Sequence, residues 1–303
     1  MDYKTEISKR ESYKPNVLPT IIDGDAYLDE RLNSGKPFSL GKIGGTEGKI
    51  MAFMSKRIHR IIRPDKRRRY MTDLYYLSGV YPNNKVTMYA FYNFWKDHVF
   101  PNADTLCHWG GEADYYIDQK FKLTANYITR HHFNIGGNAQ WPKHLNGKRI
   151  LLISPFKDSI ERQFPSLKKI WGEHLDLTNL ELAGVIRAPH YAHLEEPSTA
   201  NWFIALGYLW GQTLAYQYDV LIIGAGAWGL PLANMAKRAG RIGIHMGGET
   251  QLLFGIKGRR WVDPNGTPPD FVNKHWIYPL ESDTPKDFSK ASRHFKTDNL
   301  YWR

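Results

Sequence analysis

The sequence alternates short, continuously apolar segments with longer segments of helical character, and this alternation constrains the fold more than any other feature. The segments that predict strands are residues 38–43 (FSLGKI), 149–154 (RILLIS), 180–187 (LELAGVIR), 219–223 (DVLII) and 241–246. Helical segments at 157–171, 199–217 and 230–239 separate the later strands. Apolar strands joined by helices are typical of a parallel sheet that is covered on both faces. The sequence therefore predicts an α/β fold, with a Rossmann-like parallel sheet and helices on both sides.

The chain shows no internal repeat and no low-complexity linker, which favours a single domain. We expect the α/β domain to span residues 38–261. A polar extension (1–37) with a helix near residues 26–32 precedes it, and a Pro- and Asp-rich tail (262–303) is expected to pack on its surface. Residues 101–146 carry two glycine pairs and are predicted to be irregular.

Composition narrows the class of protein further. Lys and Arg number 41 against 30 Asp and Glu, a formal net charge of +11, which indicates an anionic partner. The single cysteine, Cys107, excludes an internal disulfide framework and a multi-cysteine zinc site. No apolar run is long enough for a membrane span, and the polar N-terminus does not resemble a secretory signal. We therefore expect a cytoplasmic location.

A glycine-rich turn joins the strand at 219–223 to the following helix. Gly224, Gly226 and Gly229 satisfy the spacing G-x-G-x-x-G, which lets backbone N–H groups approach a phosphate at a helix N-terminus. A dinucleotide site also needs an acid about 20 residues further on, at the end of the next strand. That strand ends at His245, and several strands precede the unit. The turn favours a phosphate-bearing ligand, with an NAD(P) site or a ligand-free packed corner as alternatives.

Polar and basic residues follow two of the later strands, where a parallel sheet binds ligands. After the strand at 241–246 we expect donor contacts from His245, Gly248, Glu249 and Gln251, and from the cations Lys257, Arg259 and Arg260, which could neutralise a pyrophosphate. A solvated basic loop is the alternative. After the strand at 149–154, Ser154 is a donor-binding candidate and Asp158 a catalytic one, with helix capping as the alternative.

The loop after the first strand contains Gly44, Gly45, Thr46 and Glu47. If the strands are parallel and close, Glu47 should face the same crevice as the Gly224 turn. A carboxylate there can act as a base, ligate a metal or hold a sugar hydroxyl. The alternative is that Glu47 caps the next helix, which we expect to begin near Ile50.

These motifs resemble those of glycosyltransferases of the GT-D type. The resemblance covers residues 38–55 (FSLxKIG, then Glu) and 219–246 (DVLIIGAGxxG). It implies a nucleotide-sugar donor, with Gly224, Gly226 and Gly229 matching the family's late turn. In that family an Asp-x-Glu pair holds a metal and the nucleotide sugar. Glu47 matches the Glu but Gly45 stands in place of the Asp, so the resemblance leaves a Mg²⁺ or Mn²⁺ requirement open.

A basic segment, residues 56–69, follows the first helix. Its cations are Lys56, Arg57, Arg60, Arg63, Lys66, Arg67, Arg68 and Arg69. Such a stripe can neutralise phosphates of nucleic acid or bind an anionic membrane surface, and a solvated face is the alternative.

Together these features predict a glycosyltransferase that moves a sugar from a nucleotide sugar to a hydroxyl acceptor. We favour a hydroxylated base in DNA as acceptor over a cell-surface glycan or lipid-linked acceptor. A nucleotide- or nucleic-acid-binding module without chemistry and an NAD(P)-dependent oxidoreductase are the alternative functions. The oligomeric state is not predicted.

Overall fold

The computed structural model describes residues 22–55, 64–108, 112–135, 139–192, 194–261, 269–286 and 301–302; side chains at 64, 66 and 112–115 lie outside this description. Over these ranges seven parallel strands form one sheet in the order β3-β2-β1-β7-β6-β4-β5. The strands are β1 (Phe38–Lys42), β2 (Thr105–His108), β3 (Asn126–Thr129), β4 (Arg149–Ser154), β5 (Glu181–Arg187), β6 (Val220–Ile223) and β7 (Ile242–His245). The prediction of an α/β fold with a Rossmann-like parallel sheet is confirmed.

Helices connect the strands and cover both faces of the sheet. They are α1 (Gly24–Asn33), α2 (Gly45–Ser55), α3 (Pro64–Ser78), α4 (Lys85–Phe94), α5 (Glu112–Phe121), α6 (Arg130–Phe133), α7 (Lys157–Gln163), α8 (Leu167–Trp171), α9 (Trp202–Thr213), α10 (Gly229–Arg238) and α11 (Glu249–Leu253). A 3₁₀ turn with Pro165 separates α7 from α8 within the helical segment expected at 157–171. None of the helices that the structure describes is both long and apolar enough to cross a membrane.

The strands divide their side chains between two cores. In β4, Ile150 and Leu152 enter the core on one face, and Leu151 and Ile153 enter the core on the other. This two-sided burial explains why the strand is apolar throughout. Leu28 and Leu32 of α1 belong to the first core, so this part of the N-terminal extension packs into the domain.

Two strands and one helix boundary differ from the predictions. The stretch expected to be irregular contains β2 and β3, which have only four residues each and include polar residues such as Thr105 and Asn126. They extend the sheet because β2 pairs with β1 and is buried along its length. Helix α2 begins at Gly45 rather than near Ile50, which places Glu47 in its first turn.

Close packing of α10 against the sheet depends on a glycine. A Cβ atom at Gly243 of β7 would overlap the backbone of Ala233 in α10. A Cβ atom at Gly41 of β1 would lie 2.9 Å from the Leu230 side chain. The absence of these side chains lets the helix lie directly over β1 and β7.

We expect Gly243→Ala to lower the free energy of unfolding by about 2 kcal/mol, because the methyl group would force β7 and α10 apart. Gly207→Ala is the matched control, since a Cβ atom there meets no other atom within 4 Å. Alanine within α9 should raise stability by about 0.5 kcal/mol. Urea denaturation followed by circular dichroism measures both, and equal effects of the two substitutions would contradict the packing argument.

Candidate functional site

A cavity of about 600 Å³ opens at the carboxyl ends of the strands. Residues that follow β1, β4, β5, β6 and β7 line it. The cavity includes the boundary between the neighbouring strands β4 and β6. From β4 the chain continues to β5 toward one edge of the sheet, and from β6 it continues to β7 toward the opposite edge. The chain diverges there, and such crevices are where open α/β sheets bind ligands.

Most of the predicted donor-binding residues line this cavity. They are Gly44, Gly45, Thr46, Ser154, Gly224, Gly226, His245, Gly248, Gln251 and Arg260, together with the catalytic candidate Glu47. The expectation that Glu47 faces the same crevice as the Gly224 turn is confirmed, because β7 alone separates β1 from β6.

Glu47 is buried at the N-terminal end of α2, with 7% of its surface exposed. Burial raises the pKa of its carboxyl group, against smaller opposing effects of its own backbone N–H, the Ser78 side chain and the Lys42 ammonium. The contact with its own N–H agrees in part with the helix-capping alternative. A carboxyl group with a raised pKa that faces a cavity is also suited to proton transfer near neutral pH.

The three glycines of the late turn have different roles. A Cβ atom at Gly224 would lie 2.6 Å from Thr250 Oγ1, and one at Gly229 would collide with the His245 ring. These two glycines therefore make room for protein side chains. Gly226 has a φ of +52° and lines the cavity, a backbone conformation that glycine adopts without strain. This packing supports the packed-corner interpretation for part of the turn.

Lys42, which the sequence analysis did not select, ends β1 and lines the cavity. Only 7% of its surface is exposed. Burial lowers its pKa to about 8, while the nearby Glu249 carboxylate acts in the opposite direction. A lysine inside the otherwise apolar strand 38–43 was the available signal, since lysine is rarely buried without a role or a partner.

Four residues that line the cavity each have a buried polar side-chain atom without a hydrogen-bond partner among the described residues. His245 Nδ1, Thr250 Oγ1, Gln251 Oε1 and His190 Nδ1 have no hydrogen-bond partner among the residues that the structure describes. Burial and the charge of Lys42 lower the pKa of His245 to about 3, so its imidazole is neutral at pH 7. Such atoms are uncommon in folded proteins, and they lie beneath this wall of the cavity.

Three cationic residues line the cavity: Lys42, Lys49 and Arg260. The Arg260 guanidinium lies 5.2 Å from the centre of the Trp261 ring and 5.4 Å from that of Tyr301, and it donates a hydrogen bond to the Tyr301 hydroxyl. Gln251 Nε2 donates to the Tyr301 carbonyl oxygen at 2.8 Å. Residues near the C-terminus therefore hold Arg260 at the rim.

Four other predicted donor contacts do not line the cavity. Lys257 lies 5.4 Å from the centre of the Tyr278 ring, and Arg259 is exposed to solvent. Gly229 lies behind the His245 ring. Glu249 is buried near Lys42 at the start of α11 and acts on that ammonium rather than on the cavity surface.

Asp158 does not line the cavity, so its predicted catalytic role is not supported by its position. Its carboxylate binds Arg187 at 2.8 Å. Arg187 also binds Asp283 at 2.6 Å, and Asp283 accepts hydrogen bonds from the backbone N–H groups of Asp158 and Ser159. The fully buried Asp283 thus caps α7, and Asp158 belongs to this structural network.

We expect Asp283→Asn to lower the free energy of unfolding by about 3 kcal/mol, because it leaves the Arg187 charge without its buried partner. Asp158→Asn should cost less than about 1 kcal/mol, since that carboxylate is partly exposed. Thermal and urea denaturation measure both. A larger loss in Asp158→Asn than in Asp283→Asn would contradict this network.

The basic segment is only partly described. Lys56, Arg57, Arg60 and Arg63 lie outside the described residues, as does the side chain of Lys66. Arg67 is half-buried on α3, whereas Arg68 and Arg69 are exposed. Leu77, near the other end of the same helix, lines the cavity. Nine residues separate Arg68 from Leu77, about 14 Å along a helix axis.

The cavity residues do not fit a divalent cation. Among the described residues that line the cavity, Glu47 has the one carboxylate, and the Lys42 ammonium acts on it electrostatically. Mg²⁺ and Mn²⁺ prefer several oxygen ligands, and a neighbouring ammonium repels them. A Cβ atom at Gly45 meets no other atom within 4 Å, so packing does not explain why an acid is absent there. Elsewhere, Asp23, Asp25 and His132 lie close together, but Asp23 caps α1.

The fold and the site define a Rossmann-like α/β protein with a cavity at the carboxyl edge of its sheet, whose largely apolar lining includes the charged residues Lys42, Glu47 and Arg260. Comparison of the chain with family models, curated proteins and solved structures gave no match. The chemistry of the cavity therefore has to carry the functional assignment.

Proposed function

We propose that this protein is a glycosyltransferase that takes its sugar from a nucleotide sugar bound in the cavity. The observation that carries the proposal is the meeting of Glu47, Gly226 and Arg260 in one cavity. A carboxyl group can act on a hydroxyl, and a cation such as Arg260 can bind a phosphate. The carboxyl group suits the acceptor hydroxyl, and the cation suits the diphosphate leaving group.

In this proposal the bond between the sugar's anomeric carbon and the diphosphate oxygen breaks, and the diphosphate keeps the electron pair. A new bond forms between that carbon and the acceptor oxygen. The Glu47 carboxylate accepts the acceptor's proton, or holds a sugar hydroxyl, and its buried position keeps water from competing. Arg260 binds the diphosphate through its guanidinium.

An NAD(P)-dependent oxidoreductase is favoured less by the same geometry. The Thr250 side chain occupies the space beside Gly224, and the His245 ring occupies the space beside Gly229, so neither space is open to a pyrophosphate. The acid that follows the turn, Glu249, is buried beside Lys42 instead of being placed toward a ribose. A nucleotide-binding module without chemistry would use the same cavity, and a test of Glu47 separates it from a transferase.

For the acceptor we propose DNA with a hydroxylated base. Arg67, Arg68 and Arg69 lie at one end of α3, and Leu77 near its other end reaches the cavity. A polyanion bound along this helix would extend from the basic end toward the donor. The net charge of +11 supports this acceptor, and we propose a cytoplasmic location to go with it.

We expect Glu47→Gln to lower the rate of sugar transfer about 100-fold, equivalent to about 2.7 kcal/mol in the barrier, because the amide cannot accept the proton. The rates of nucleotide-sugar hydrolysis and of sugar transfer are measured by monitoring the release of the nucleotide. Glu161→Gln, on the exposed face of α7, is the matched control and should leave it unchanged. Near-normal turnover in Glu47→Gln would remove Glu47 from the reaction.

We expect the triple substitution of Arg67, Arg68 and Arg69 by Gln to weaken DNA binding about equally for all sequences. The dependence of log affinity on log salt should become shallower by about 2 to 3, at roughly 0.9 for each phosphate that the protein no longer neutralises. Fluorescence anisotropy with duplex DNA at several salt concentrations measures this change. Wild-type protein that shows no salt-dependent DNA binding would reject DNA and favour a glycan or lipid-linked acceptor.

A further inference from the structure

Two consecutive glycines after β7 bring two cations together at the cavity. A Cβ atom at Gly247 would lie 3.4 Å from Lys42 Nζ, and one at Gly248 would lie 3.3 Å from an Arg260 guanidinium nitrogen. Gly247 also has a φ of +59°, a conformation that favours glycine. The bare backbone at this point therefore has an ammonium against one residue and a guanidinium against the next.

Lys42 and Arg260 differ in burial, and therefore in how strongly solvent screens their charges. Arg260 is exposed at the rim, where solvent screens it. Lys42 is buried at the end of β1, so its electrostatic interactions are stronger. The titratable groups that act on it electrostatically include Glu249 of α11, Glu47 of α2, Cys107 of β2, Arg130 of α6 and Arg260. An anion bound between Lys42 and Arg260 would offset the repulsion between these cations.

We propose that the Lys42 ammonium binds the donor's diphosphate and neutralises the charge that develops on it as the sugar leaves, a role that requires no divalent cation. This inference rests on the glycosyltransferase function proposed above. It assigns to a residue of β1 the role that the sequence analysis gave to Lys257 and Arg259, which lie outside the cavity.

The assignment balances the charges of the step. As the anomeric carbon–oxygen bond breaks, its electron pair moves to the terminal phosphate oxygen, and Lys42 donates hydrogen bonds to that phosphate from its N–H groups. Such charge-assisted bonds strengthen as negative charge grows, which lowers the barrier. The acceptor's proton goes to Glu47, so Lys42 keeps its own protons throughout.

Binding of UDP, GDP and inorganic pyrophosphate, each measured by titration calorimetry in excess EDTA, tests the role of Lys42. We expect wild-type protein to bind pyrophosphate and at least one nucleoside diphosphate. Lys42→Met should weaken their binding about tenfold or more, whereas Lys42→Arg should retain part of it. Lys36→Met is the control, because Lys36 is an exposed lysine that precedes the opposite end of β1.

Uridine and guanosine distinguish loss of the anion contact from damage to the cavity. Their affinity should be the same in Lys42→Met and wild type, because they carry no phosphate. Equal pyrophosphate affinity in Lys42→Met and wild type, or loss of wild-type binding in EDTA, would overturn the assignment. Lys42-dependent binding without hydrolysis or transfer from any nucleotide sugar would reject the transferase and keep the anion site. Failure of the wild type to bind any probe would reject both.

Discussion

The contact between α10 and the strands beneath it determines how the cavity is built. Gly243 has no side chain to separate β7 from Ala233, and Gly229 leaves room for the His245 ring. The helix can therefore lie against β1 and β7, whose carboxyl ends are adjacent in the sheet. Lys42 and His245 end these two strands, so the same close packing that forms the core fixes two polar side chains at the cavity wall.

Lys42 is buried at the end of β1, a position that lysine seldom occupies without a role or a partner. Burial penalises the ammonium and lowers its pKa to about 8, and Glu249 offsets part of the penalty. Thr250 Oγ1 and Gln251 Oε1, which lie on neighbouring residues, have no hydrogen-bond partner among the described residues. Ionisable groups that line a cavity and whose pKa values are shifted by burial are typical of functional sites.

Much of the sheet could be predicted from the sequence, because β4, β6 and β7 are short apolar runs bounded by turns. Strands β2 and β3 could not, since four residues with polar ends carry no clear alternation. The glycine loops predicted the correct edge of the sheet, because carboxyl ends of parallel strands share one edge. Lys42 was missed because burial of a single charge depends on which strands become neighbours, and one sequence does not show this.

Lys257, Arg259 and Arg260 show the converse limit, because here the sequence predicted more cavity residues than the structure has. They are nearly adjacent in sequence, yet Arg260 alone of the three lines the cavity. Arg260 differs from the other two cations in its contact with Tyr301, whose ring lies against the Arg260 guanidinium. The next residue, Trp302, donates a hydrogen bond from its indole N–H to the Asp283 carbonyl oxygen at 2.9 Å. Asp283 is in turn fixed by Arg187 and by the N-terminus of α7. Tertiary contacts that include the buried Asp283 carboxylate, which lies outside the cavity, therefore determine which of the three cations lines it.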